Sequence, residues 1–274
     1  MRKKVTRHCE ALAEAIQKFG SYCKRLDCFT LRARNDVRGF TLAEVLITLG
    51  IIGVVAALTM PALITKHKEK ETVVKVKKFY SVLSNAYMLA INEHGTPENW
   101  DLIGYDSKKG AANLLDKIAP YMRFQEICRV DENCSYAMSD LNGTHYSAYN
   151  SGKNNIAAIL ADGTRMTVCI RDANCALKRG TSAGMSTICG FAMFDVNGSK
   201  PPNTLGKDMF GAFYFTRDGG IIPEGILDNT YRPFKQDCLV NKVGYGCTAW
   251  VIVNENLDYL HCDELNWNTK TRCK

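Results

Sequence analysis

The chain has 274 residues, 46% of them hydrophobic and 23% charged, enough for an apolar anchor plus one sizeable globular domain, and no repeat of solenoid period runs through it. Its formal charge is +7, but residues 1–39 hold ten Lys/Arg against four Asp/Glu, so the basic excess sits mostly in the leader. Whole-chain charge is therefore no argument for a nucleic-acid partner.

Next in the chain, Arg38-Gly39-Phe40-Thr41-Leu42-Ala43-Glu44-Val45-Leu46-Ile47 runs into an apolar segment ending at Ile64-Thr65-Lys66. Val45 to Thr65 is 21 residues without a charge. At ~1.5 Å per residue this is roughly 30 Å, enough to cross a hydrocarbon core. A secretory signal peptide has a shorter apolar core with its cut site after it, whereas here the small residue precedes the apolar run, so the helix stays with the mature chain. The basic leader orients it with the N-terminus cytoplasmic and the bulk of the chain outside. Glu44 is costly in a bilayer unless partnered or at the interface. Pro61 lacks an N–H, which frees the carbonyl of Ala57 and predicts a kink or a melted turn.

This order of basic leader, Gly39, Phe40, Glu44 and Pro61 resembles the signal of type IV prepilins and type II secretion pseudopilins. The resemblance implies cleavage between Gly39 and Phe40 by a prepilin peptidase, which also methylates the new Phe40 amine. It also implies docking at an inner-membrane assembly platform, and filament assembly through the helix, with Glu44 pairing the Phe40 amine of a neighbouring subunit. The leader is longer than that family's usual one and holds Cys9, Cys23 and Cys28. A genuine extension, amphipathic around Leu12 to Phe19, and a start assigned upstream of a true start near Val37 both remain open.

Beyond the anchor the helical pattern continues. Val76, Phe79, Tyr80, Leu83, Tyr87 and Ala90 recur at spacings of three and four up to Gly95-Thr96-Pro97, which predicts one helix from about Thr41 to Glu93 whose second half lies on a domain. The resulting organisation is a leader (1–39), a membrane-spanning half-helix (40–65), an amphipathic half-helix (66–95) and a globular domain (96–274). The basic cluster Lys66, Lys68, Lys70, Lys75, Lys77 and Lys78 lacks interleaved aromatics and is diluted by Glu69 and Glu71, so it reads as a solvated or headgroup-facing surface rather than a nucleic-acid site.

A short helix is expected near Ala111 to Met122. Strands are expected at Ile156 to Leu160 and Thr164 to Ile170 around the Asp162-Gly163 turn, and at Gly190 to Val196, Phe210 to Thr216 and Cys247 to Val253. The fold class is therefore α+β: a long N-terminal helix packed on a C-terminal antiparallel sheet of four or five strands, which the resemblance also implies. Nine cysteines follow the anchor: Cys128, Cys134, Cys169, Cys175, Cys189, Cys238, Cys247, Cys262 and Cys273. Their close spacing outside a membrane suggests disulfides, with nearest neighbours paired and Cys189 left over. Zinc would want C-x-x-C knuckles or paired histidines, and neither is present in this pattern.

Three motifs suggest other chemistry. Asp195, Asn197 and Asp208 supply hard oxygen ligands, but Gly206 stands where an EF-hand has its glutamate. This loop reads as a connector first and a calcium site second. Gly180-Thr-Ser182-Ala-Gly184 with His261 downstream mimics a hydrolase order but lacks the strand-turn-helix context of a nucleophile elbow. Gly244 to Ala249 mimics a dinucleotide fingerprint without a βαβ unit. The preferred reading is a non-enzymatic filament subunit without cofactor, of a type IV pilus or, alternatively, a type II secretion pseudopilus. A pilin-anchored envelope hydrolase comes third.

Overall fold

The computed structural model describes residues 41–104, 107–128, 137–146, 155–198 and 200–273. The chain divides into a segment up to residue 57 and a compact unit from residue 58 onward.

Helix α1 spans Leu42–His94, 53 residues. It runs uninterrupted through Pro61, so no turn is melted there. One missing N–H removes a single rung of the ladder, and the hydroxyl of Thr65 donates to the Pro61 carbonyl at 3.0 Å, tying the turn that follows. The helix stops at Gly95, whose φ of +75° suits a residue without Cβ and whose N–H donates to the Ile91 carbonyl at 2.8 Å. In its second half Val73, Val76, Phe79, Leu83, Ala86, Tyr87 and Ala90 are buried, the expected stripe at three- and four-residue spacing.

Helix α2 spans Lys108–Ile118 and is capped by Ser107, whose hydroxyl accepts from the Lys109 N–H. The strands are β1 (Phe124–Ile127), β2 (Met138–Ser139), β3 (His145–Tyr146), β4 (Asn155–Leu160), β5 (Arg165–Ile170), β6 (Ile188–Asp195), β7 (Met209–Thr216) and β8 (Ile221–Pro223). Six form one antiparallel sheet in the order β1-β4-β5-β6-β7-β8, and β2 pairs β3 separately. The sheet exceeds the expected four or five strands because its edges carry little signal: β1 is polar on its exposed positions, and β8 is three residues ending in proline.

Strands β5, β6 and β7 are buried along their whole length; β6 and β7 read largely as apolar runs, whereas β5 keeps buried Arg165 and Thr167 between its apolar residues. On one face, Ala192, Phe194, Phe213 and Phe215 join the core beneath α1. Phe79 stacks on Phe194 with ring centroids 4.1 Å apart and meets Phe213 edge-on at 5.2 Å. Tyr87 packs on Phe215, and its hydroxyl donates to the Thr216 carbonyl at 2.7 Å. On the other face, Phe191, Met193, Ala212 and Tyr214 form a second core with Met138, Met185, Leu205 and Tyr245, roofed by loops.

The expected strand at Cys247 to Val253 is instead helix α3, Thr248–Asn254. A short apolar run has no period that separates strand from helix, and here tertiary contacts decide. Trp250 stacks on Phe234 at 4.2 Å and donates through Nε1 to Asn256 Oδ1 at 3.0 Å, while the Thr248 hydroxyl bonds back to the Tyr245 carbonyl.

Disulfides join Cys238 to Cys247 and Cys262 to Cys273, as nearest-neighbour pairing expects. The third corrects the expectation. Cys175 bonds Cys189, and Cys169 is the free and buried thiol. The register shift on β6 between Ile188 and Gly190 is the reason: it turns Cys189 into the core beneath α1, where it meets Cys175, whereas Cys169 lies in the core on the loop-covered face. Cys128 is disulfide-bonded, and Cys134, its expected partner, lies outside the described residues.

Candidate functional site

The N-terminal half of α1 is apolar and uncovered. From residue 41 to 68 every side chain is exposed except Ala56, which is partly so, and the span is long and apolar enough to cross a membrane. Gly39 and Phe40, the expected cleavage and methylation positions, lie outside the described residues. Glu44 is in the first turn of the helix. Its carboxylate accepts from the Thr41 backbone N–H and from the Thr41 hydroxyl, each at 2.8 Å, while the Glu44 N–H donates to Thr41 Oγ1 at 3.2 Å. This is a reciprocal capping box, threonine at the cap and glutamate three residues on. The Thr41-Leu-Ala-Glu44 spacing is itself the sequence signature of that box.

The basic cluster after the anchor is partly neutralised from within. Lys75 pairs with Glu71 at 2.9 Å, Lys77 with Glu255, and Lys78 with Asp162 at 3.0 Å. Burial works against ionised Asp162, but donors from Thr164 and Lys78 win and hold its carboxyl below the usual range. The charge also staples the β4–β5 turn to α1.

Each of the three suggestive loops is organised around a carboxylate of the chain's own. In the hydrolase-like loop, Asp228 accepts from the Thr181 N–H at 3.1 Å, the Thr181 hydroxyl at 2.5 Å and the Ser182 N–H at 2.7 Å. Hydrogen bonds from Ser182 and Thr181 hold the Asp228 carboxyl far below its ordinary value. His261 is engaged elsewhere, its Nε2 lying 2.8 Å from Glu69 Oε1 on α1. The structure thus gives Ser182 and His261 different carboxylate partners.

In the dinucleotide-like loop, the carboxylate of buried Asp237 accepts from the Gly244 N–H at 3.2 Å and the Gly246 N–H at 2.6 Å, and its other oxygen takes Arg232 at 3.1 Å. Glycine is required at Gly225 beside it: φ is +90°, and a Cβ would fall 1.9 Å from the Gly246 carbonyl oxygen.

In the third loop, Asp195 Oδ1 accepts from the Asn197 N–H at 3.1 Å, and Asp208 accepts from Asn197 Nδ2 at 3.1 Å, the Asn203 N–H at 3.0 Å and the Thr204 N–H at 2.5 Å. Burial raises the Asp208 carboxyl above its usual range against these donors. Arg165 stands opposite Asp195 in the β5–β6 register, and both are buried. Among the described residues, no group of three His, Cys, Asp or Glu side chains is arranged to hold a metal ion.

A feature that sequence reading passed over is a cleft on the loop-covered face of the sheet, lined by Arg171, Arg179, Arg232 and buried Glu224. Its charged members come from two loops far apart in the chain, after β5 and after β8, so no local spacing marks it.

Comparison with known proteins gives two matches. Residues 34–60 match the prokaryotic N-terminal methylation motif, so the chain carries the prepilin-type cleavage and methylation signal and is type IV pilin- or pseudopilin-like. The motif and the apolar helix are consistent with membrane anchoring before assembly. No curated protein and no solved structure matches the chain. Residues 62–251, most of the chain, match a second family, covering the packed half of α1 and the whole sheet, and on that match the chain belongs to the family of unknown function DUF6613.

Proposed function

We propose that the protein is a structural, non-enzymatic subunit of a type IV pilus or related pseudopilus, cut between Gly39 and Phe40, methylated at Phe40 and assembled through the N-terminal half of α1. The observation that carries this reading is the methylation motif at 34–60 leading into a helix whose first half is uncovered and whose second half is packed on the sheet. An apolar surface of that length is covered by lipid in the monomer and by neighbouring helices in a filament. On this reading the protein spans the inner membrane once before assembly, with the domain on the periplasmic side, and its partners are the prepilin peptidase, the assembly platform and other pilin subunits. The three suggestive loops serve as connectors: their carboxylates are engaged by the chain's own N–H and hydroxyl donors, which argues for structure over calcium, nucleotide or hydrolysis.

Mass spectrometry of sheared or sedimented envelope filaments tests the proposal. N-methyl-Phe40 at the N-terminus is the expected result, and an uncleaved Gly39–Phe40 bond in assembled material overturns it. Antibody labelling of surface filaments identifies a pilus, whereas loss of exoprotein release on deletion identifies a secretion pseudopilus.

A further inference from the structure

On the sheet face away from α1, the loops after β5 and β8 close over Phe191 and Tyr214 to leave a cleft of about 160 Å³. Three guanidinium groups border it, each over an aromatic ring: Arg179 over Tyr231 at 3.7 Å, Arg232 over Tyr245 at 4.2 Å and Arg171 over Phe191 at 5.4 Å. A guanidinium in this arrangement gives its face to the ring and keeps its in-plane N–H groups for hydrogen bonds. We propose that this cleft binds a small hydroxy-carboxylate, the carboxylate on Arg179 with Arg171 beside it and a neighbouring hydroxyl donating to Glu224.

The arginines are not equivalent. Arg232 is matched, with Asp237 at 3.1 Å and Glu224 Oε1 at 3.9 Å. Arg179 makes no ion pair among the described residues, its guanidinium lying over Tyr231, so its charge is left for an anion in the cleft that it lines. A planar fork of this kind is suited to a carboxylate. Glu224 supplies the opposite polarity. It is 2% exposed, its Oε2 accepts from the Ala212 N–H at 3.0 Å and its Oε1 from the Tyr214 hydroxyl at 2.6 Å. Each carboxylate oxygen has a second lone pair, so a ligand hydroxyl can still donate there.

The two polarities together select the ligand. A phosphate dianion would bring two charges beside the buried acid of Glu224, and a neutral sugar would leave the Arg179 charge without a counter-charge. A molecule carrying one carboxylate and an adjacent hydroxyl answers both. The volume admits one small molecule or one ring, below the range of sites that enclose drug-sized ligands. Two sources share this chemistry, a uronic acid unit and a free hydroxy acid.

The experiment is calorimetric titration of the full processed chain in detergent with glucuronate, lactate, glucose and inorganic phosphate at constant ionic strength. Saturable binding of glucuronate or lactate, at least tenfold tighter than glucose or phosphate, is expected. Tighter glucuronate identifies the sugar acid as the source, and tighter lactate the hydroxy acid. Arg179→Gln should weaken the preferred ligand at least tenfold and Arg179→Lys less, with the melting temperature of each variant reporting that it folds. Glu224→Gln should narrow the preference for lactate over propionate, a readout that lost folding would not produce. Phosphate binding as tight as either acid, no binding of either acid, or an Arg179→Gln variant that binds like the parent each overturns the proposal.

Discussion

The Glu44 carboxylate and Thr41 hold each other at the head of α1, two hydrogen bonds of 2.8 Å running from threonine to glutamate and one of 3.2 Å returning. The single acid in the membrane-length segment is therefore an N-terminal cap before any neighbouring subunit is considered. The threonine donors lower the cost of placing Glu44 near lipid, and they must be shared or exchanged when another positive group approaches.

If assembly uses that acid, Glu44→Val should insert and be cleaved near wild-type levels while sedimentable filament falls at least tenfold. Fractionating processed monomer against sheared filament in the native host measures both. Thr41→Val separates the two roles, since it removes the hydroxyl of the cap and keeps the charge. Normal filament yield from Glu44→Val would leave the cap as the residue's whole role.

Phe79 joins α1 to two strands at once, through Phe194 and Phe213. Phe79→Ala should cost about 3–5 kcal/mol, a typical loss for a buried aromatic. For a domain of this size that lowers Tm by roughly 10 °C. Calorimetry of the full chain in detergent checks it, and a shift below a few degrees would mean that helix and sheet are held by other contacts.

The cysteines give a chemical test. Denaturing thiol counts on mature protein should find Cys169 free. In the folded protein that thiol should react slowly, because burial pushes it up to about 11 although Arg171 pulls the other way. Replacing Cys175 opens a loop of 14 residues and should cost about 3 kcal/mol. Modification of Cys175 or Cys189 in untreated protein would contradict the pairing.

Glu224 gives a pH signature. Burial lifts its carboxyl from 4.5 to about 7, and Tyr214, Arg232 and the Ala212 N–H only partly oppose this, with Asp237 adding to the rise. The folded state then holds the proton more tightly than the unfolded chain. Its contribution is complete below about pH 4.5 and is lost as pH rises through about 7, on the order of 3 kcal/mol. Glu224→Gln should flatten stability over that window, as measured by denaturant midpoints at stepped pH. An unchanged slope in the variant would mean that Glu224 titrates normally.

The helix was legible because both of its signals are local and long: an uncharged run from Val45 to Thr65, then apolar residues three and four apart. The β4–β5 hairpin was legible for the same reason, with Asp162-Gly163 marking its turn. Cys247 to Val253 misled because six apolar residues fit either structure until Phe234 and Trp267 are known to lie against Trp250. Cys169 and Cys175 misled because close spacing says nothing about which side of a sheet a thiol faces. The Arg171, Arg179, Arg232 and Glu224 cleft had no spacing to read, since β5, β8 and the loops between them meet only on folding.

A tether along α1 reaches the far end of the chain by side-chain contacts rather than by sequence. Glu69 holds His261, Lys77 holds Glu255, and His261 is followed by Cys262, closed onto Cys273 as a covalent ring. On the proposed filament reading, a pull on α1 would reach residues 255–262 through these two surface ion pairs as well as through the sheet. The Cys262–Cys273 disulfide closes that segment into a ring, so under such a pull it could not be drawn out as open chain.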